Sequence, residues 1–281
     1  MEKEYTRGKL LTTPAELQKK LGSSDLCLVD VRPAEQFAHG HILSAVHFDL
    51  FGLSLVDTSE APLRAFMHMI HHVLELRGVS GDKEVVFYEE NSGMRAARGL
   101  WFLEFFGHPN VRMLDGGIQA WKAAGGPITT EAVAPKAATF KSGEHREVLA
   151  TADDVLRSLN KKEIAILDTR SDGEYLGTHV RAARGGAVPG AIHIEWTENL
   201  DASGKFKSNT ELKNMYDKAG VTPDKEVISY CQGGYRAAHS YVALRLLGFP
   251  KVRNYIGSWK EWGDRTDLPI ENPGKKETGL R

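Results

Sequence analysis

The chain repeats its own order of motifs, and this duplication constrains its fold more than any other feature. Thr13-Pro14-Ala15-Glu16 sets a hydroxyl N-cap, a proline at the first helical position and an acid at the third, a capping box that Thr151-Ala152-Asp153-Asp154 echoes. About one helix later each half has a short apolar strand, Leu26 to Val31 and Ile164 to Thr169. These end in the similar words Val29-Asp30-Val31-Arg32 and Leu167-Asp168-Thr169-Arg170. Ser44-Ala45-Val46-His47 then matches Gly190-Ala191-Ile192-His193, and the strand Glu84 to Tyr88 matches Glu226 to Tyr230. Helices that open Arg95-Ala96-Ala97 and Arg236-Ala237-Ala238 stop at Gly107-His108-Pro109 and Gly248-Phe249-Pro250, the glycine-then-proline signal of a C-terminus. Asp115-Gly116-Gly117 through Trp121 matches Ile256-Gly257-Ser258 through Trp262, and both halves close on Pro-Ile.

Strands alternating with helices at this spacing predict an α/β fold: two tandem domains, each a mainly parallel sheet flanked by helices. The stretch from Thr129 to Glu147, rich in Ala, Thr and Lys, has no period and reads as a linker. The expected organisation is residues 1–128, a linker at 129–147, and residues 148–281. A length of 281 residues suits two domains of ordinary size, and 41% hydrophobic with 26% charged residues is the composition of a globular chain.

A net charge of -1 gives no general field for nucleic acid or an anionic membrane. Met1-Glu2-Lys3-Glu4-Tyr5-Thr6-Arg7-Gly8 has no apolar core or cleavage pattern, and no apolar run is long enough to span a bilayer. Two cysteines, Cys27 and Cys231, make no disulfide framework. The expectation is a soluble cytoplasmic protein with both thiols reduced. No paired Cys/His spacing suggests zinc. His39, His41, His68, His71 and His72 lack a carboxylate or cysteine set at ligand spacing and read as surface or packing residues.

The halves diverge in chemistry at one loop. Aligned on the following helix, Glu90-Asn91-Ser92-Gly93-Met94-Arg95 stands against Cys231-Gln232-Gly233-Gly234-Tyr235-Arg236, which puts Glu90 opposite Cys231. A cysteine between a parallel strand and a helix lies at the sheet edge where open α/β folds bind ligands. Loop amides, the positive end of the helix and a nearby guanidinium all favour thiolate over thiol. Gly233 and Gly234 allow backbone angles that other residues reach only at a cost. An arbitrary intracellular cysteine is most often a buried structural thiol. Cys27, inside the apolar strand Leu26-Cys27-Leu28-Val29, fits that description, whereas Cys231 has strand, glycine loop, arginine and helix converging on it.

On these residues the chain resembles the tandem rhodanese family over nearly its whole length. Leu167-Asp168-Thr169-Arg170, Glu174-Tyr175 and Arg184-Gly185-Gly186-Ala187-Val188-Pro189-Gly190-Ala191 resemble the family's signature near the start of its domain. Gly257-Ser258-Trp259-Lys260-Glu261-Trp262 resembles the one near its end, and Tyr230 to Ala237 the active-site loop. The resemblance implies an inactive N-terminal rhodanese-like domain and an active C-terminal one. It also implies sulfur transfer through a Cys231 persulfide, from a small donor such as thiosulfate to cyanide or a thiol, without metal or organic cofactor.

Gln232, Gly233, Gly234, Tyr235 and Arg236 are the expected substrate-binding loop, with Arg184 beside the pocket. Arg236 suits a planar anion and a buried ion pair equally, and Arg184 is either a pocket cation or a solvated charge. Asp168 and Arg170 read as a structural salt bridge, and Trp259 and Trp262 as core. The loop has neither the extra positive charge of the thiosulfate type nor the Gly-Ser/Thr-Gly-Val-Thr pattern of the mercaptopyruvate type. Thiosulfate is favoured because a closing arginine suits a dianion, and 3-mercaptopyruvate stays open. A cysteine phosphatase would place five residues between cysteine and arginine, whereas here four intervene. A non-catalytic sulfur-carrier or binding module is the alternative of another class.

Overall fold

The computed structural model describes residues 4–275, so the outermost ends of the expected domain bounds, 1–3 and 276–281, lie outside it. The first half carries strands β1 (Leu11–Thr12), β2 (Leu26–Asp30), β3 (His41–Ile42), β4 (Val46–His47), β5 (Glu84–Tyr88), β6 (Val111–Leu114) and β7 (Ile128–Thr129). Its helices are α1 (Pro14–Lys20), α2 (Ala34–His39), α3 (Glu60–Leu76), α4 (Met94–Phe105) and α5 (Gly117–Ala123). The second half carries β8 (Leu149–Ala150), β9 (Ile164–Asp168), β10 (Ile192–His193), β11 (Glu226–Tyr230) and β12 (Val252–Tyr255). Its helices are α6 (Ala152–Ser158), α7 (Asp172–Tyr175), α8 (Asn209–Lys218), α9 (Tyr235–Leu246) and α10 (Ser258–Asp264).

Each half is a five-stranded, wholly parallel sheet, ordered β1-β6-β5-β2-β4 in the first and β8-β12-β11-β9-β10 in the second, the same topology twice. β3 and β7 pair apart from these as a short antiparallel ribbon. The central strands are Val/Ile-rich because helices cover both of their faces; every residue of β5 is buried, and all but Glu226 of β11. Both capping boxes expected from the sequence form, Thr13 with Glu16 and Thr151 with Asp154. Gly107 and Gly248 take φ of 71° and 85° just past the ends of α4 and α9, the left-handed step that only glycine makes cheaply. Between β7 and Arg146 the chain forms no helix or strand, yet Phe140 is buried against His71, Phe106 and His108.

Helices α4 and α9 follow the loops that diverge between the halves. Both are buried almost all round, as a helix must be when each side meets protein: Leu100, Trp101, Leu103, Tyr241, Val242 and Leu244 are each 0% exposed. They belong to one hydrophobic core that runs through both halves. Polar ties are placed around this core. Glu104 accepts from the Tyr241 hydroxyl at 2.6 Å and from Arg245 at 3.0 Å. Glu261 of α10 accepts from the Thr58 amide at 2.7 Å and from its hydroxyl.

Because the core is shared, a cavity at its centre should weaken both halves together. Trp101→Ala removes a fully buried indole whose N–H donates to the Val148 carbonyl and is expected to cost about 3–5 kcal/mol. Urea unfolding followed by tryptophan fluorescence and by proteolysis of each half should show one transition moved to lower urea; two separated transitions would contradict the shared core.

Candidate active site at the end of β11

Asp168 ends β9 opposite Tyr230, the last residue of β11. Its carboxylate holds Arg170 at 2.6 Å and accepts from the Tyr230 hydroxyl at 2.5 Å, and all three side chains are buried. Arg170 also donates to the Gly186 carbonyl and lies 4.4 Å over the Trp259 ring. The Asp168–Arg170 pair is thus the structural salt bridge that the sequence suggested, and Trp259 and Trp262 are core. The first half repeats the pair as Asp30 and Arg32 at 2.6 Å. This frame fixes where β11 stops and where Cys231 leaves the sheet.

Cys231 is 1% exposed. Its N–H donates to Ser258 Oγ at 3.1 Å and its carbonyl accepts from the Trp259 N–H at 2.9 Å, which ties the loop to the start of α10. Gly234, with φ of 81°, caps α9 in the left-handed region, and this turn aims its N–H at Cys231 Sγ, 3.1 Å away. Gly233 does not adopt a positive φ; a Cβ there would sit 3.3 Å from Ser54 Oγ of the first half. Burial alone would push the Cys231 thiol up. The Arg236 charge, the Ala237 and Gly233 amides and the Arg98 charge outweigh it, so the pKa lies below the ordinary thiol value. Cys27 has no such neighbourhood, and burial pushes it up to about 11. Both thiols are free.

Arg236 is clamped to Glu174 by two bonds of 2.5 and 2.9 Å. Burial opposes its charge, but the Glu174 bond and the Cys231 sulfur raise it further above the ordinary arginine value. It therefore faces carboxylate and sulfur together. Arg181 joins the same carboxylate at 3.3 Å, so two cations share one anion beside the loop. Burial works against the Glu174 carboxylate, yet Arg236 and the Ser171 cap lower its pKa to about 2. Gln232 lies over the loop, its amide donating to the Arg181 carbonyl at 2.9 Å.

Two expected pocket residues are placed elsewhere. Arg184 donates to the carbonyls of Gly263, Leu268, Trp262 and Arg265, so its guanidinium fastens the end of α10 to the segment that follows. Tyr235 is bound into the first half, its hydroxyl donating to the Leu50 and Leu53 carbonyls. Glu174 and Ser258 were visible in the sequence only as parts of family words, and Arg98 was not singled out at all.

The first half corrects the loop alignment. Ile118 N–H donates to the Glu89 carbonyl as Trp259 N–H donates to that of Cys231, and the Gln119–Glu90 bond likewise parallels Lys260–Gln232. Glu89, not Glu90, therefore occupies the place of Cys231. The cause is one extra residue in the first loop, which lies between Tyr88 and Met94 where the second lies between Tyr230 and Tyr235. Glu89 Oε1 accepts the amides of Arg95 and Ala96 at 2.6 and 3.1 Å, so a carboxylate fills the helix N-terminus that the sulfur occupies in the second half.

The family described as Rhodanese-like domain matches residues 13–124 and again 151–265. A thiosulfate sulfurtransferase of Azotobacter vinelandii is 34% identical over 262 residues, 93% of this chain and 97% of that protein. A protein of Thermus thermophilus named sulfur carrier protein TtuD is 38% identical over 211 residues, 70% of this chain and 74% of its own. Among solved structures, the anaerobic ergothioneine biosynthesis enzyme of Chlorobium limicola superposes with a TM-score of 0.85 over 95% of this chain and 71% of that one. At 21% identity that likeness speaks for the fold.

The Glu174 clamp has a pH signature. A carboxylate whose pKa falls from 4.5 to about 2 on folding adds stability that is complete above about pH 4.5 and is lost as pH falls toward 2. Glu174→Gln should flatten the decline of the urea midpoint over that window relative to wild type. An unchanged acid slope would mean that the clamp does not hold in solution.

Proposed function

The chain belongs to the rhodanese family, and from that premise we propose that it is a sulfurtransferase that carries sulfane sulfur as a persulfide on Cys231. The observation that supports this best is the electrostatic setting of a buried sulfur. Cys231 Sγ receives the Gly234 amide at the start of α9 and faces the charges of Arg236 and Arg98. The first half offers a carboxylate in the same place.

In the first half-reaction the Cys231 thiolate attacks the outer sulfur of thiosulfate. A Cys–S–S bond forms, the sulfur–sulfur bond of the donor breaks with its electron pair, and sulfite leaves. In the second, cyanide or a thiolate attacks the outer persulfide sulfur and the Cys231 thiolate returns as leaving group. The amides and cations around Sγ stabilise the anion at both ends of this cycle. Four residues between Cys231 and Arg236 give a loop closed around one sulfur, smaller than a phosphate needs. The outer sulfur stands about 2 Å beyond Sγ, so a small acceptor meets it without having to reach the buried cysteine.

Thiosulfate is the favoured donor because Arg236 and Arg181 leave positive charge at the loop even after Glu174 is counted. 3-Mercaptopyruvate is the second donor to test. The Thermus thermophilus relative, named a sulfur carrier protein, favours a second reading, in which this chain is a non-catalytic carrier that holds sulfur without turning over. Among the described residues no helix is long and apolar enough to cross a membrane. We place the reaction in the cytoplasm, where both thiols stay reduced.

Intact mass after incubation with thiosulfate tests the half-reactions directly. Wild type should gain one sulfur, about 32 Da as expected for a persulfide, lose it to cyanide, and Cys231→Ser should gain nothing. A gain only from 3-mercaptopyruvate would change the donor; no gain from either would remove the sulfurtransferase reading.

A further inference from the structure

Arg98 of α4 is a charge in a costly place. It is 0% exposed within the apolar contact between α4 and α9, where an unpaired ion is strongly disfavoured. No carboxylate contacts it among the described residues. Nη1 donates to the Gly233 carbonyl at 2.9 Å, Nη2 reaches the Leu53 carbonyl at 3.5 Å, and Nε is buried without a partner. The Tyr235 ring lies 4.4 Å beneath the guanidinium, a cation–π contact of modest worth. A Cβ on Gly234 would fall on Nη1. The guanidinium is therefore packed against the residue whose N–H reaches Cys231 Sγ.

The duplication supplies a control. Counting from Arg95 and Arg236, the residue of α9 equivalent to Arg98 is His239. The two are exchanged across the interface: Arg98 of the first half donates to Gly233 in the second half's loop, and His239 Nε2 meets the Ser92 carbonyl in the first half's loop at 2.8 Å. The loop with the thiol thus receives a permanent cation. The loop with Glu89, whose carboxyl burial pushes up to about 7 against the pull of the Ala96 and Arg95 amides, receives an imidazole whose pKa burial lowers to about 4, so that it is neutral.

We propose that Arg98, supplied by the half that lacks the cysteine, is the buried countercharge of the Cys231 anion and so a positioning residue for sulfur transfer. This rests on the reading of Cys231 as the sulfur carrier. It gives the first half a part in the chemistry without a nucleophile of its own, and it explains why a cation lies in the shared core with no carboxylate.

The test is the pH titration of the Cys231 thiolate, read as the ultraviolet absorbance of each full-length chain minus that of its Cys231→Ser counterpart. Arg98→Met and Arg98→Gln should raise the midpoint by about one pH unit or more, the size of shift that one close charge gives. Arg98→Lys should keep it near wild type. A folded neutral variant with the wild-type midpoint overturns the proposal and leaves Arg98 a packing residue. If neither neutral variant folds, wild type and Cys231→Ala decide. The countercharge role predicts a larger stability advantage of wild type at pH 9 than at pH 5, because a depressed thiol pKa adds stability above its unfolded value; an equal difference at both overturns the proposal. The titration does not require turnover, so a low Arg98-dependent midpoint without sulfur transfer would count against the sulfurtransferase reading alone.

Discussion

A sulfur that is 1% exposed can carry negative charge only where the protein replaces the solvation that water would give. That requirement organises the second half and reaches into the first. The strand must end beside Asp168 so that Cys231 leaves the sheet at the head of α9, and Gly234 must turn left-handed so that its N–H points back at the sulfur. Arg236 must be held, and Glu174 holds it from α7, at the cost of placing a carboxylate nearby. Arg236 still acts on the sulfur despite that carboxylate, and Arg98 adds a further charge from the interface core.

The two halves solve one geometry with two groups. In the first, Glu89 fills the helix N-terminus with its own carboxylate, which accepts two amides and leaves no place there for an anionic donor. In the second, the smaller side chain of cysteine leaves the amides and cations facing its sulfur. Duplication kept the sheet order, the capping boxes and the Asp–Arg frame at 2.6 Å in both halves. It altered what stands at the end of the central strand and which side chain crosses beneath it.

Much of this was legible in the sequence because it is local. Strand limits, helix starts and stops, both capping boxes and the position of Cys231 between strand and helix follow from spacing and residue type. The buried Asp168–Arg170 pair was visible as two charges at a strand end. What was hidden depends on where long side chains go after folding. Arg184 stands in a pocket-like family word, yet its guanidinium finds four carbonyls, two in the last turn of α10 and two beyond it. Tyr235 sits within the loop but bonds across the interface. Arg98 is one of three charged residues of α4, and only the packing of α4 on α9 shows that it lies under Gly234. Aligning from the helix side placed Glu90 opposite Cys231, because one extra loop residue shifts the match that the strand side gives to Glu89.

The central claim is that sulfur rests covalently on Cys231 between donor and acceptor, and the order of events in turnover tests it most directly. Initial rates should be measured with thiosulfate varied at several fixed cyanide concentrations. A persulfide intermediate requires sulfite to leave before cyanide reacts, so double-reciprocal plots should be parallel lines. Lines that converge would mean that donor and acceptor are bound together when sulfur moves, and would contradict transfer through a free persulfide enzyme.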